Sequence, residues 1–328
     1  MGALPAPDRS STAFGRLPME GCRFVSIGQG GVRICVAICT YKRPRMLRHL
    51  LDTLERQETK GLFDYSIVVI DNDQAGSARE TVESARDTSP VPLVYDIEPT
   101  QNISLARNKA LRAVEADYYA CIDDDEYADP GWLIHLYEAL RDHSADGILG
   151  PVLPSFEAPP PAWINKGALF DRESFPTGTI LNDPRQTRSG NFMISRKIID
   201  ENHELFDPEY GLIGGEDSDF FRRMLQMGYA FIWCQEAQAF ETIPPARLTR
   251  AYQLRRALMR GVAAAKQRPL VSADTLRSIA ACGVYTIALP VLSVVSPGLF
   301  MPYLIKDCDH LGKLLARVGI RVMRRWPS

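Results

Sequence analysis

Carboxylates placed just after apolar runs are the residues in this sequence best suited to chemistry. Asp123-Asp124-Asp125 directly follows the apolar stretch Tyr118 to Ile122, and three acids in a row repel one another unless a cation or solvent offsets their charge. A hard divalent ion, Mg²⁺ or Mn²⁺, answers that need and carries substrate phosphates with it. A solvated acidic turn is the alternative. Gly214-Gly215-Glu216-Asp217-Ser218-Asp219-Phe220 puts acids on the first turn of a helix behind two glycines. There they either complement the helix dipole or aim one carboxylate into a cleft as a general base, and adjacent acids can divide the two tasks. Asp71 suits the N–H edge of a base or a ribose hydroxyl, or else an ordinary Asx turn. Asn102, with Arg107-Asn108, begins an amphipathic helix. A cation and an amide there can reach a diphosphate near the helix N-terminus, or lie on a solvated face.

The elements that must position these groups alternate. Val32 to Thr40, Tyr65 to Ile70, Pro92 to Ile97, Tyr118 to Ile122, Gly190 to Ser195 and Tyr229 to Cys234 read as strands. Segments beginning at Pro44, Arg79, Ser104, Gly131 and Glu216 read as helices. Such alternation with short connections predicts an α/β protein with a mostly parallel sheet covered on both faces. Ligands then bind beyond the carboxyl ends of the strands, where Thr40 to Arg43, Asp71 to Asp73 and Asp123 to Glu126 lie. Between Pro151 and Pro184 periodicity is lost among prolines and glycines, which predicts an irregular insertion over the sheet.

Composition narrows the class. The 328 residues are 45% hydrophobic and 24% charged, enough for a full-sized core and unlike a disordered or disulfide-stapled chain. Seven cysteines in mostly apolar runs read as reduced core thiols, and five scattered histidines offer no zinc spacing. Of the 38 Lys/Arg, fourteen follow residue 246, against three of the 40 acids, so the body carries −13 and the tail +11. An acidic body argues against nucleic-acid binding, whereas a basic tail suits phosphates or an anionic membrane surface. Residues 1–31 read as a flexible leader without the apolar core of a signal peptide.

Taken in order, Ala37-Ile38-Cys39-Thr40-Tyr41-Lys42-Arg43-Pro44, Ile70-Asp71-Asn72, Asn102 to Asn108, Asp123 to Asp125, Gly190-Asn191-Phe192 and Gly215-Glu216-Asp217 resemble the family 2 glycosyltransferases. These are inverting enzymes with the GT-A nucleotide-sugar-binding fold. The resemblance covers residues 32–246, leaving 247–328 as a helical, basic and apolar C-terminal region. It implies that Asp71 contacts the nucleobase, that Thr40, Arg43 and Asp124 lie near the nucleotide, and that Asp123 and Asp125 flank the metal-binding DxD step, with Asp125 the best ligand. It also implies that Asp217 is the base, beside Glu216. Pro244-Pro245-Ala246-Arg247-Leu248 followed by Leu254-Arg255-Arg256-Ala257 resembles the succinoglycan-type enzymes of bacterial exopolysaccharide assembly. Two departures are visible. Processive synthases carry Gln-x-x-Arg-Trp, whereas Gln253-Leu254-Arg255-Arg256 is followed by Ala257, which favours one sugar per acceptor. Relatives often place a histidine near the metal, where this chain reads Phe240-Glu241-Thr242.

The expected reaction is transfer of one hexose from a nucleoside diphosphate sugar, UDP-glucose or another UDP-hexose, to a polyprenyl-diphosphate-linked oligosaccharide. Arg255, Arg256 and Arg260 are expected to face the acceptor diphosphate, and Trp163 either stacks on a sugar or anchors a Pro-rich loop. Two rivals are a non-catalytic nucleotide-sugar-binding module and an aspartate-nucleophile phosphatase. The latter needs an acid after the first strand, which ends in Thr40-Tyr41-Lys42-Arg43. Finally, the 28 residues Ser278 to Ile305 carry no charge. That is long enough to cross a bilayer, yet Pro290, Pro297 and Pro302 suit a re-entrant or interfacial hairpin. Leu311, Leu314, Leu315, Val318 and Val322 opposite Lys313, Arg317, Arg321, Arg324 and Arg325 predict a basic amphipathic helix on anionic headgroups. Together these predict attachment to the cytoplasmic face of the inner membrane, the alternative being a soluble helical subdomain.

Overall fold

The computed structural model describes residues 31–212, 214–266 and 273–320. The leader expected over 1–31 therefore lies outside the described residues except for Gly31, as do Arg321, Val322, Arg324 and Arg325.

Apolar runs without a helical stripe, rich in β-branched residues in β1 and β2 and in aromatics elsewhere, form most of the strands. They are β1 (Val32–Thr40), β2 (Phe63–Asp71), β3 (Leu93–Ile97), β4 (Tyr118–Ile122), β5 (Glu126–Ala128), β6 (Gly147–Leu149), β7 (Val152–Phe156), β8 (Asn191–Ser195), β9 (Phe231–Trp233) and β10 (Ala239–Ile243). Seven build one sheet in the order β3-β2-β1-β4-β8-β6-β9, and β5-β10-β7 make a small second sheet. β1, β2, β3 and β4 pair in parallel, whereas β8 runs antiparallel to both β4 and β6. The period of two sorts side chains to opposite faces. Ile34, Val36 and Ile38 face one core and Cys35 and Ala37 the other.

Helices cover both faces. α1 (Pro44–Leu54), α2 (Arg79–Arg86) and α4 (Trp132–Asp142) pack on the first core through Leu47, Leu50, Leu51, Val82, Trp132 and Leu136. α3 (Ile103–Ala110), α6 (Arg196–Glu201) and α7 (Glu216–Gln226) pack on the second through Ala106, Ala110, Ile198, Phe220, Phe221 and Met224. The predicted irregular insertion is more ordered than its sequence suggested, because it contains β7 and the short α5 (Ala162–Lys166). β7 is legible only through its partner β10, with which it pairs in parallel.

Three C-terminal helices follow: α8 (Arg250–Lys266), α9 (Ala273–Val295) and α10 (Pro297–Arg317). The uncharged run bends at Ser296 into a helical hairpin, with Pro290 and Pro302 inside the helices and Pro297 opening α10. α10 lies against α8 so closely that a Cβ on Gly261 would stand 2.1 Å from the Asp309 carbonyl, and one on Gly312 2.2 Å from that of Leu258. α9 is the outer helix and leaves Ile287 77% and Val294 82% exposed. The amphipathic expectation for α10 needs correcting in its sense. Lys313 and Arg317 turn inward toward Asp274, and Lys313 also toward Asp309, while Leu311 and Val318 are exposed. Burying two cations beside two acids costs less than leaving those acids unpaired.

Candidate active site

β4 ends at Ile122, and the tight turn Glu126 N–H to Asp123 carbonyl (3.0 Å) gathers the acids that follow it. Arginines from three separate segments converge on them, and a fourth joins through Glu241. Asp124 accepts from the Thr40 hydroxyl at 2.8 Å and from Arg43 at 2.9 Å. Asp125 Oδ2 accepts from Arg43 at 3.1 Å and from Arg247 at 2.6 Å. Arg247 also donates to Glu241 at 2.8 Å, and Arg172 donates to the second Glu241 oxygen. Glu241 lies directly across the β5/β10 ladder from Glu126. Like charges in that position destabilise a sheet unless cations intervene. Arg107 closes the set by donating to Asp123 at 3.0 Å and to Glu216 at 2.9 Å, so the start of α7 is clamped to the end of β4.

Burial governs the electrostatics. It pushes Glu216 up to about 7 against the opposing pull of Arg107. Asp124 rises to about 6 through burial, with Arg43 opposing and Asp125 reinforcing the rise. Glu126 stands well above the carboxylate range because it is buried and faces Asp123, Asp125 and Glu241. Burial also works against the charge of Arg107, but Asp123 and Glu216 outweigh it and hold the guanidinium protonated. Beneath it the Cys39 thiol, pushed up to about 12 by burial, stays neutral.

Among the described residues no three His, Cys, Asp or Glu side chains are placed to hold a metal ion as they stand. The chemistry of the donors nevertheless fits one. Asp123 and Asp125 offer hard oxygen ligands, and burial, with neighbouring carboxylates adding to it, raises the proton affinity of Asp123 and Glu126, so a further cation would be favoured there. Sequence reasoning allowed a cation or solvent to offset these acids and omitted the protein's own arginines.

Other predicted residues divide sharply. Asp71 is fully buried and accepts from the Asp73 and Ala78 N–H groups and from the Tyr95 hydroxyl, which is the Asx-turn alternative. Asn102 is the N-cap of α3, accepting from the Ser104 N–H at 3.0 Å and donating to the Pro208 carbonyl at 2.8 Å. Asn108 bonds both backbone groups of Phe206. These amides hold the chain together, and only Arg107 of that segment reaches the acids. Asp217, half-buried on the first turn of α7, accepts from the Ser218 N–H at 2.7 Å. Gly214 at φ 85° and Gly215 at φ 96° make the left-handed turn that aims this helix.

Beside the acids opens a cavity of about 520 Å³ whose walls include Arg172, Arg188, Asn191 and Trp233. Burial and the nearby charges of Arg172 and Arg256 make the Arg188 proton easier to lose, and Asp217 partly restores it. Arg256 is half-buried, whereas Arg255 and Arg260 are exposed, with Arg260 turned toward Asp309 at 3.4 Å. The predicted arginine cluster is thus split, and Arg256 alone shares surroundings with Arg172. Trp163 packs among Ile164, Phe170 and the C-terminal helices as a loop anchor. Arg172 and Arg188 escaped sequence reading because nothing in their aperiodic surroundings marks them. Arg247 lay within a quoted motif, six residues past the strand acid Glu241.

Comparison with known proteins gives an independent view. Residues 35–202 match the family model described as Glycosyl transferase family 2. The chain is 31% identical over 230 residues to the succinoglycan biosynthesis protein ExoM of Rhizobium meliloti (strain 1021), covering 70% of this chain and 73% of that protein. It is 23% identical over 244 residues to the chondroitin synthase of Escherichia coli, covering 65% of this chain and 35% of that one. Mannosyltransferase PcManGT from Pyrobaculum calidifontis, solved with GDP-Man and Mn2+, superposes with a TM-score of 0.56 at 16% identity, covering 88% of this chain and 87% of that one. S. aureus TarS in complex with UDP gives 0.51 at 16% identity, covering 88% and 92%. At such identity the two structures speak for the fold alone, and that fold is the GT-A type. With the family model spanning half of the chain and ExoM aligned over most of it, the chain belongs to glycosyltransferase family 2 and is a glycosyltransferase.

Proposed function

We propose that this glycosyltransferase moves a single hexose, with inversion, from a nucleoside diphosphate sugar to a lipid-linked acceptor in exopolysaccharide assembly, with UDP-glucose the donor to test first. The observation that carries this reading is the Arg107 clamp. It joins Asp123 to Glu216 and so holds Asp217 beside the carboxylates at the end of β4. Asp217 takes the proton of the attacking acceptor hydroxyl, whose oxygen then displaces the diphosphate from the opposite face of the anomeric carbon. Glu216 orients the helix through Arg107. Thr40 and Arg43 fix Asp124, which keeps the loop after β1 beside the nucleotide. Asp71, with its three internal bonds, shapes the turn on the nucleobase side. Mg²⁺ or Mn²⁺ held by Asp123 and Asp125 would supply Lewis-acid neutralisation of the leaving diphosphate; the PcManGT complex contains Mn2+.

The cavity bordered by Arg188, with Arg256 nearby, suits an acceptor that carries phosphate. Residues 32–246 form the catalytic unit in this reading and 247–328 its attachment. α9 is long and apolar enough to cross a membrane, but it forms a hairpin with α10, which packs on α8, and in this reading the hairpin lies on the cytoplasmic face of the inner membrane. The relationship to ExoM supports the pathway class.

Incubating the full chain with UDP-glucose, Mn²⁺ and lipid-linked oligosaccharide extract, then reading product mass and anomeric NMR couplings, tests the reaction. One added hexose in the β configuration is expected. Release of free phosphate from sugar phosphates without nucleotide dependence would overturn the reading. For attachment, Ile287→Asp with Val294→Asp should abolish co-sedimentation with anionic vesicles, and unchanged sedimentation would refute it.

A further inference from the structure

Asp125 is the carboxylate to which the proposed function gives the divalent cation, yet its Oδ2 already accepts two guanidinium donors. Arg247 stands 2.6 Å away and Arg43 3.1 Å. The Arg247 and Asp125 side chains are 11% and 10% exposed, so water screens the pair weakly. A dication bound at that oxygen would meet the guanidinium at close range, and the two cations repel strongly in so dry a site. Occupancy of Asp125 is therefore competitive.

Each arginine has a second carboxylate to fall back on. Arg247 keeps Glu241 at 2.8 Å, and Arg43 keeps Asp124 at 2.9 Å. Giving up Asp125 thus leaves neither charge without a partner. The Arg247 backbone is fixed while its side chain is long. Its carbonyl accepts from the Gln253 side chain at 2.7 Å, and the adjacent Leu248 is buried with Ile164, Phe170 and Ile243. A diphosphate arriving with the cation would offer the released guanidinium new oxygen acceptors, a favoured bidentate pairing.

We propose that Arg247 is a positioning residue that holds Asp125 as an internal counter-cation in the free enzyme and yields it when a divalent ion arrives with a nucleoside diphosphate. Metal alone then binds weakly, and metal with nucleotide binds strongly. The inference rests on the glycosyltransferase reading only for the identity of the diphosphate.

Mn²⁺ affinity of the full chain, measured by electron paramagnetic resonance of the free ion with and without UDP, tests it. In the wild type UDP should raise Mn²⁺ affinity by about tenfold or more. Arg247→Gln should raise affinity for Mn²⁺ alone by about fivefold and shrink the UDP effect to about twofold, although it slows transfer. A role confined to folding would lower Mn²⁺ affinity, so an unchanged or weaker affinity for Mn²⁺ alone in Arg247→Gln overturns the proposal. If thermal unfolding shows that variant to be unfolded, Arg247→Lys, which keeps the charge but cannot span both acids, should give an intermediate gain. No gain there overturns the proposal equally. If no nucleoside diphosphate binds at all, the donor reading fails, while the rise in Mn²⁺ affinity on Arg247→Gln still decides the counter-cation role.

Discussion

Two buried polar clusters sit side by side at the carboxyl end of the sheet, and they are satisfied in different ways. Around β2 and α3, Asp71, Asn72, Asn102 and Asn108 are bonded largely to backbone groups: Asp71 to two N–H groups, Asn72 to the Glu98 and Thr100 carbonyls, Asn108 to Phe206. Around β4 and α7, Asp123, Asp124, Asp125, Glu216 and Glu241 are bonded mainly to arginine side chains. A backbone partner can be released only by unfolding its segment, whereas an arginine can exchange one anion for another. The first cluster is scaffold, and the second is where a charged substrate can take the place of protein.

The largest expected effect separates chemistry from both clusters. Asp217→Asn should lower kcat by about 10³-fold while UDP affinity changes by less than about threefold. Retained turnover would remove the assigned base. Within the ionic cluster, Arg107→Met leaves Glu216 buried without its cation, while the Asp123 side chain, 42% exposed, can turn to water, so the loss should be about 3 kcal/mol of stability by urea unfolding. A loss below 1 kcal/mol would show that the clamp is not structural. Protonation supplies a gentler test. Glu216 has a folded pKa of about 7, above its ordinary 4.5, so its contribution is present below about pH 4.5 and is lost as pH rises through about 7. Wild-type stability should therefore fall from pH 5 to pH 8 relative to that of Glu216→Gln, and parallel profiles would contradict the shift. The smallest effect belongs to the scaffold. Asn102→Ala removes the cap of α3 and should cost about 1–2 kcal/mol with no dependence on salt, unlike the ionic variants.

The same contrast explains what the sequence reveals. β1 and β4 have the predicted boundaries, because the β-branched run of β1 and the aromatic, apolar run of β4 show no helical stripe and each ends at a polar segment. β5, β6 and β9 span three residues each, too few for a period to show. In the site, acids at strand ends are visible because strand and motif are contiguous. Their arginine partners are not, since Arg172 and Arg188 lie in aperiodic chain and Arg247 reaches Asp125 only through tertiary folding. Asp71 and Asn102 show the opposite case. Their types fit ligand contact and local capping equally, and backbone geometry settled most of their bonds in favour of the local use.

The ion pairs of the site also bear on the order in which the molecule is made. Arg43 and Asp124 are 81 residues apart, Arg107 and Glu216 are 109, and Asp125 and Arg247 are 122. Closing such loops early gains little to offset the lost chain entropy. During synthesis the β4 acids emerge long before Arg247, so a nascent chain that ends before residue 247 carries these acids without one of their cations. The centre is completed only once Arg247 has joined it, and a protein ending between Trp233 and Arg247 would lack that cation even with every strand of the large sheet present.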